Sequence, residues 1–346
     1  MKLHDLGPVS WQDSQLIYHA LPRLGHEALV LLRPSSPYVC IGYHQDLEQE
    51  VDVAYCREQG IPIFRREVGG GAVYLDGDQL FYQLVIHHSH PLAAQTKARF
   101  YQQLLAPVVA TYKALGIETR YKAVNDIITA EGRKISGNGA AEIGDYCILV
   151  GNLIADFNYD MMVRILRVPD EKYRDKVHKS MRENLATIRR ELGAVPPWPE
   201  MAAILKREFE KVLGPLESAP LPADVPPKVA ELAPQFLSEE WLYKRGKCHA
   251  ERAVRIAAGT EVRQKVYKAP GGLIRAIVEV REGVLASTSL SGDFFFYPAD
   301  KLAELEERLA GVPLDQVEAV IAAFYQELGI ESPGVTPADF RQVLVG

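Results

Sequence analysis

Cysteine is scarce in this sequence: four residues among 346, Cys40, Cys56, Cys147 and Cys248, with no CxxC pair. That spacing excludes a zinc knuckle and a disulfide framework, so buried thiols are the expectation. Long apolar runs are missing as well, and none reaches the roughly 20 residues that a bilayer-spanning helix needs, so no membrane partner is expected. The N-terminal stretch MKLHDLGPVSWQDSQ has no apolar core of signal-peptide length, and the expected location is the cytoplasm. An excess of positive charge is also absent. Lys and Arg number 39 against 45 Asp and Glu, a net charge of −6, which argues against nucleic-acid binding because that requires a basic surface to displace counterions. No internal repeat and no low-complexity tract is present.

What remains is a composition of 47% hydrophobic and 24% charged residues, sufficient for a real core, in a chain whose length suits two domains. Residues 214–228, GPLESAPLPADVPPK, hold five prolines and are read as a linker between a domain at 1–222 and another at 223–346. In the first, strand-like runs (EALVLLR, YVCIGY, IPIFRR) mix with TKARFYQQLLAPVVATYKALG, where Phe100, Leu104, Val108 and Tyr112 recur at helical spacing around a Pro107 expected to bend the helix. The second reads as three strands followed by helices, the last with Thr336 as N-cap and Pro337 at its first position. Both domains are α+β. Two stretches, RILRVPDEKYRDKVHKSMREN and YKRGKCHAERAVR, concentrate basic residues against the overall charge, where a solvated helix face or an acidic protein partner is expected.

Two stretches carry the chemistry. In RREVGGGAVYLDGDQLFYQL, three consecutive glycines follow Arg65 and Arg66. Such a run is entropically costly and persists where a turn needs positive φ or a ligand must touch backbone. It lacks the Gly-Lys-Ser/Thr ending of a nucleotide P-loop. An anion-binding concavity of amides, with the two arginines beside it, is one reading; a structural turn is the other. The following segment alternates at Leu80, Tyr82, Leu84 and Ile86, as in a strand with one buried face. In NDIITAEGRKISGNGAAEIGDYCILVGNLIADF, strands are separated by turns at Glu131-Gly132 and Gly144-Asp145. Alternation sends Arg133 and Lys134 to opposite faces, so one of them points into any site the sheet encloses. The histidine-rich HHSH, His87 to His90, is read as the end of a strand turning into a Pro91 loop, with metal binding as the minor alternative.

Taken in order, RREVGGGAVY, NDI, GRKISGN and KYRDKVHKSMRENLATI resemble the lipoate-protein ligase family, and FLSEEWLYKRG with LSGDFFFYP resembles the accessory domain of its full-length members. The resemblance implies the mixed-sheet catalytic domain of the biotin/lipoate ligase type with a smaller α+β accessory domain. It implies an enzyme that activates lipoate or octanoate with ATP and Mg²⁺ as an acyl-adenylate. The acyl group then passes to a lysine of a lipoyl carrier domain, such as a 2-oxoacid dehydrogenase E2 or a glycine cleavage H-protein. A monomer is expected. By the same resemblance Lys134 is catalytic, and Arg66, Gly69, Gly70, Gly71, Ala72, Val73, Asn125, Ser136, Gly137 and Lys176 contact substrate or adenylate. Asp126 is matched to a Mg²⁺ ligand, and Val73, Tyr74 and Ile135 to an acyl tunnel. The sequence departs from the family pattern at Val68, Leu75 and Val150-Gly151-Asn152. One runner-up is an octanoyltransferase that works from acyl carrier protein with Cys147 as nucleophile and Lys134 beside it. Another is an inactive relative that only binds lipoyl domains. Biotin ligases share the architecture, but their glycine-arginine loop differs from RREVGGGAV.

Overall fold

The computed structural model describes residues 1–168, 170–245 and 260–346. Cys248 and most of the second basic stretch lie outside the described residues, so the burial expected for that thiol is not addressed. Contacts divide the chain into two compact units. One comprises Met1–Cys40, Val51–Phe64 and Val73–Ser238; the other comprises Ile41–Glu50, Arg65–Ala72 and Glu239–Gly346. The division is more interleaved than a boundary at 222/223.

The first unit is built on a six-stranded mixed sheet. Its strands are β1 (Lys2–Val9), β2 (Ala28–Pro34), β6 (Gln79–His87), β10 (Asn138–Ile143), β11 (Tyr146–Ile154) and β12 (Glu217–Ser218), in the order β10-β11-β6-β2-β1-β12. β1 runs parallel to β2 and β12, while β2, β6, β11 and β10 pair antiparallel. β6 lies between β2 and β11 and is buried along nearly its whole length. The expected single buried face is therefore replaced by burial on both, and Phe81 and Val85 are as enclosed as Leu84 and Ile86. The alternating segment is also two strands, since β5 (Val73–Leu75) turns at residues 76–78 into β6 and pairs with β3 (Tyr38–Ile41).

A smaller sheet carries the second informative stretch: β7 (Thr119–Lys122), β8 (Asp126–Thr129) and β9 (Lys134–Ser136). Gly132 and Gly144 both take positive φ, at 82° and 56°, which is why glycines stand at the two turns. The Lys97–Ala114 helix runs continuously through Pro107, with Thr111 donating its hydroxyl to the Pro107 carbonyl at 2.8 Å. The proline-rich stretch is more ordered than a linker. β12 adds to β1, and the Val225–Phe236 helix begins with Pro226 and Pro227 in its first turn, where a missing N–H costs nothing, and packs on the Trp11–Arg23 helix.

In the second unit, β13 (Thr260–Ala269), β14 (Gly272–Arg281) and β15 (Val284–Gly292) form an antiparallel meander. Burial along β14 alternates strictly, and its inward residues Ile274, Ala276 and Val278 join a core with Leu302, Leu305, Ile321, Phe324 and Phe340 from the helices Lys301–Arg308, Val317–Leu328 and Pro337–Leu344. The last helix has the expected Thr336 N-cap, completed by Asp339 into a capping box.

His44 is enclosed in this unit with its ring stacked on Phe294, centroids 5.3 Å apart, and neither ring nitrogen has a hydrogen-bond partner among the described residues. Burial, reinforced by Arg245, Arg65 and Lys244, holds its pKa well below the ordinary 6.5. The folded chain therefore stays unprotonated while the unfolded chain takes up a proton below pH 6.5, so stability falls as the medium is acidified. Between pH 6.5 and 5.5 the parent is expected to lose about 1 kcal/mol more than His44→Phe, from denaturant midpoints at the two values. Equal losses would remove His44 from the acid response.

Candidate active site

A cavity of about 450 Å³ opens in the first unit, walled by strands and by the end of the Glu171–Asn184 helix. Its lining is divided in character. Val73, Leu75, Ile128, Ile154, Phe157, Met162, Met181 and Leu185 supply apolar surface; Lys122, Asp126, Lys134, Gln79 and Asn152 supply polar groups. A mostly apolar cleft with a few convergent polar groups suits a small ligand with an anionic head and a hydrocarbon tail.

Lys134 sits at the start of β9, and its position is over-determined. Its strand pairs with β8 across a register shift, while on the other side it bridges to Leu185 and its carbonyl accepts from the Ala186 N–H at 2.7 Å. One residue on, the Ile135 carbonyl accepts from the fully buried Tyr112 hydroxyl at 2.7 Å. The ammonium meets Asp126 Oδ1 at 2.7 Å, with Lys134 40% and Asp126 29% exposed. Arg133 turns the other way, to Glu191 at 3.0 Å. Alternation thus separates the two cations as the sequence implies, and the lysine faces the cavity.

A second constellation was not legible in the sequence. The Gly137 N–H donates to Asn152 Oδ1 at 2.8 Å, which leaves the Asn152 amide nitrogen to donate to Gln79 Oε1 at 2.7 Å. Gln79 in turn donates to the Tyr74 carbonyl at 3.2 Å and to Asp76 Oδ1 at 3.3 Å. Burial pushes the Asp76 carboxyl up from its ordinary value. This relay runs across three strands, so its members are far apart in sequence; the one signal was Asn152 standing in a position where the family pattern has another residue.

Of the residues singled out from the sequence, Lys134, Asp126, Val73 and Gly137 line the cavity, as does Tyr74. Asn125 and Ser136 do not. Asn125 and Asn138 each donate a side-chain amide to the other's backbone carbonyl, and the buried Ser136 hydroxyl lies 2.7 Å from the Asn152 carbonyl, so both brace the β9–β10 junction. Ile135 is fully buried outside the cavity lining, and Lys176 is exposed on its helix, one turn before Ser180. Cys147 is 2% exposed and, by alternation along β11, faces away from Asn152 and Ile154. It lies with His88 and Glu142, and the Lys97 ammonium already bonds Glu142 and reaches to 4.0 Å from the thiol.

The glycine loop belongs to the second unit, and local packing or backbone conformation accounts for two of its three glycines, Gly69 and Gly70. A Cβ on Gly69 would meet the Phe295 ring at 2.9 Å, Gly70 has φ +94°, and the Arg66 guanidinium donates to the Gly69 and Gly71 carbonyls at 2.8 and 2.9 Å. Ala72 closes the same segment. Arg65 differs from its neighbour. It is fully buried, and its guanidinium donates to the carbonyls of Gly42, Tyr43, Gln45 and Leu242.

The lipoyl protein ligase A/B catalytic domain profile matches residues 9–210. Lipoate-protein ligase LplJ of Bacillus subtilis is 25% identical over 321 residues, 91% of this chain and 90% of its own. Lipoate-protein ligase A subunit 1 of Thermoplasma acidophilum is 34% identical over 159 residues, 43% of this chain and 59% of that relative's length. Octanoyltransferase LipM of Geobacillus kaustophilus is 23% identical over 60% of this chain and 84% of its own. Among solved structures, the bipartite T. acidophilum lipoate protein ligase, described with its E2 lipoyl domain, has a TM-score of 0.64 at 27% identity, covering 71% of this chain and 97% of that one. The architecture is therefore that of the lipoate ligases. Among the described residues, no helix is long and apolar enough to cross a membrane.

Proposed function

The chain belongs to the lipoyl protein ligase A/B catalytic domain family, and from that premise we propose that it couples lipoate or octanoate to AMP and then to a carrier lysine. The observation that carries the reading is the Lys134 ammonium, held by Asp126 at the polar part of an otherwise apolar cavity. In the first step a carboxylate oxygen of the acid attacks the α-phosphorus of ATP, and pyrophosphate leaves with the electron pair of the broken P–O bond. Lys134 offsets negative charge as the carboxylate and phosphate approach. In the second, the neutral amine of a lipoyl-domain lysine attacks the acyl carbon, AMP departs, and the amide forms with loss of a proton. The same ammonium then holds the acyl-phosphate oxygens in line for attack.

Magnesium enters with ATP as part of the substrate. One Asp126 oxygen is taken by Lys134 and the other has no partner among the described residues, which suits a hard cation that keeps most of its water. The hydrocarbon tail is assigned to Ile128, Ile154, Phe157 and Met162.

The octanoyltransferase alternative needs Cys147 to reach the acyl carbon, and its burial on the opposite face of β11 disfavours that. Cys147→Ala is expected to keep both partial reactions. The deciding assay is pyrophosphate release from ATP with free octanoate or lipoate. No release, together with transfer from an acyl carrier thioester that Cys147→Ala abolishes, would replace the ligase with the transferase.

A further inference from the structure

Directly beside the cavity lies a second depression, of about 350 Å³, lined by Asp156, Tyr159, Arg182, Thr187, Arg189 and Arg190. The two share a wall. Phe157, which lines the cavity, packs edge-on against Tyr159 with ring centroids 5.2 Å apart, and the Tyr159 hydroxyl donates to the carbonyl of the cavity residue Leu185 at 3.2 Å.

Its three guanidinium groups are held in place by the protein and are short of counter-charge. Arg190 donates to the carbonyls of Arg182 and Leu185, capping the end of the 171–184 helix. Arg182 lies over the Tyr159 ring at 5.4 Å, and Arg189 pairs with Asp156 at 2.6 Å through Nε. Among the described residues, Asp156 is the one carboxylate paired with any of the three. The surroundings reinforce the imbalance: residues 164–190 contain nine Lys and Arg against four Asp and Glu, in a chain whose net charge is −6. Guanidinium forks fixed by other contacts and left with open donors favour carboxylates, because little further freedom is lost on pairing.

We infer that this arginine-lined cleft is the docking surface for an acidic carrier protein, whose surface carboxylates it seats so that the carrier's lysine reaches the adjoining cavity. The inference rests on the ligase reading for the identity of the carrier. A lysine approaching a region that already holds Lys122, Lys134 and three arginines is repelled unless its neighbours on the carrier are acidic. The cleft supplies the matching sign at the right place. Free nucleotide or phosphate is the competing occupant, and the test separates it.

The experiment measures direct binding of a purified unmodified lipoyl domain to the full chain, alongside carrier-free pyrophosphate release. The variants are Arg182→Gln/Arg189→Gln and, as a charge-matched control, Lys2→Gln/Lys113→Gln, whose lysines are exposed. Arg190 is left intact because it caps a helix. The expected result is a loss of about tenfold or more in carrier affinity for the arginine pair, a flatter salt dependence, and unchanged binding for the control. Unchanged affinity for the arginine pair overturns the inference, as does a parent that fails to bind the carrier. A raised ATP requirement for pyrophosphate release with normal carrier binding also overturns it, in favour of a nucleotide site. Failure of the parent to release any pyrophosphate sinks the ligase reading alone, since the binding arm is read independently.

Discussion

Lys134→Ala is expected to reduce acyl transfer by about a hundredfold or more while the chain stays folded. The magnitude follows from removing a preorganised cation that acts on charge developing in the transition state, worth about 3 kcal/mol in comparable sites. Stability is expected to change by less than about 1 kcal/mol, because the Lys134–Asp126 pair is 40% and 29% exposed and water screens it. The backbone hydrogen bonds that fix β9 do not depend on the side chain. Pyrophosphate release and carrier modification, each measured at saturating substrate, separate the two steps. Loss confined to the second would restrict Lys134 to orienting the adenylate. Normal rates in both would remove it from the mechanism, and the cavity would need another cation, with Lys122 the next candidate among its lining.

The second large effect concerns stability. Arg65→Met is expected to destabilise the unit that contains it by about 3–5 kcal/mol, read from the denaturant midpoint of that unit. The side chain is fully buried, and its removal leaves the carbonyls of Tyr43, Gln45 and Leu242 without their guanidinium donor, while that of Gly42 keeps the Gln45 N–H. Each orphaned carbonyl in a closed interior costs about 1–3 kcal/mol unless the backbone relaxes toward water. Methionine fills much of the volume, so the loss reports hydrogen bonding more than a cavity. A shift below about 1 kcal/mol would show that the carbonyls find other donors.

Local pattern made much of this molecule readable. Turn glycines and alternation located the strands on both sides of residues 131–132 and 144–145, and the same alternation aimed Lys134 and Arg133 in opposite directions. The Thr336-Pro337 start of the last helix was equally local. What escaped depends on pairing between distant segments. Gln79 and Asn152 meet because β6 and β11 are neighbours, a fact that neither residue's surroundings in sequence reveal. The proline-dense stretch looked like a spacer by composition, whereas two of its prolines occupy the opening turn of a helix, where their lost donors are not needed. The arginines before the triple glycine looked alike, yet one is fully buried and donates to four carbonyls while the other braces the loop it precedes.

The placement of residues 65–72 among groups at 293–295 has a consequence for how the polypeptide emerges during synthesis. Those segments are separated by on the order of two hundred residues. At typical elongation speeds, roughly 10–40 s pass between the appearance of Gly69 on the ribosome and that of Phe295. Throughout that interval Gly69 awaits Phe295, and for most of it Arg65, whose partners Gly42, Tyr43 and Gln45 precede it, awaits Leu242. The unit that holds them therefore completes its assembly only after residues 293–295 have emerged, and a fragment ending at Ser238 would carry two stranded pieces of it.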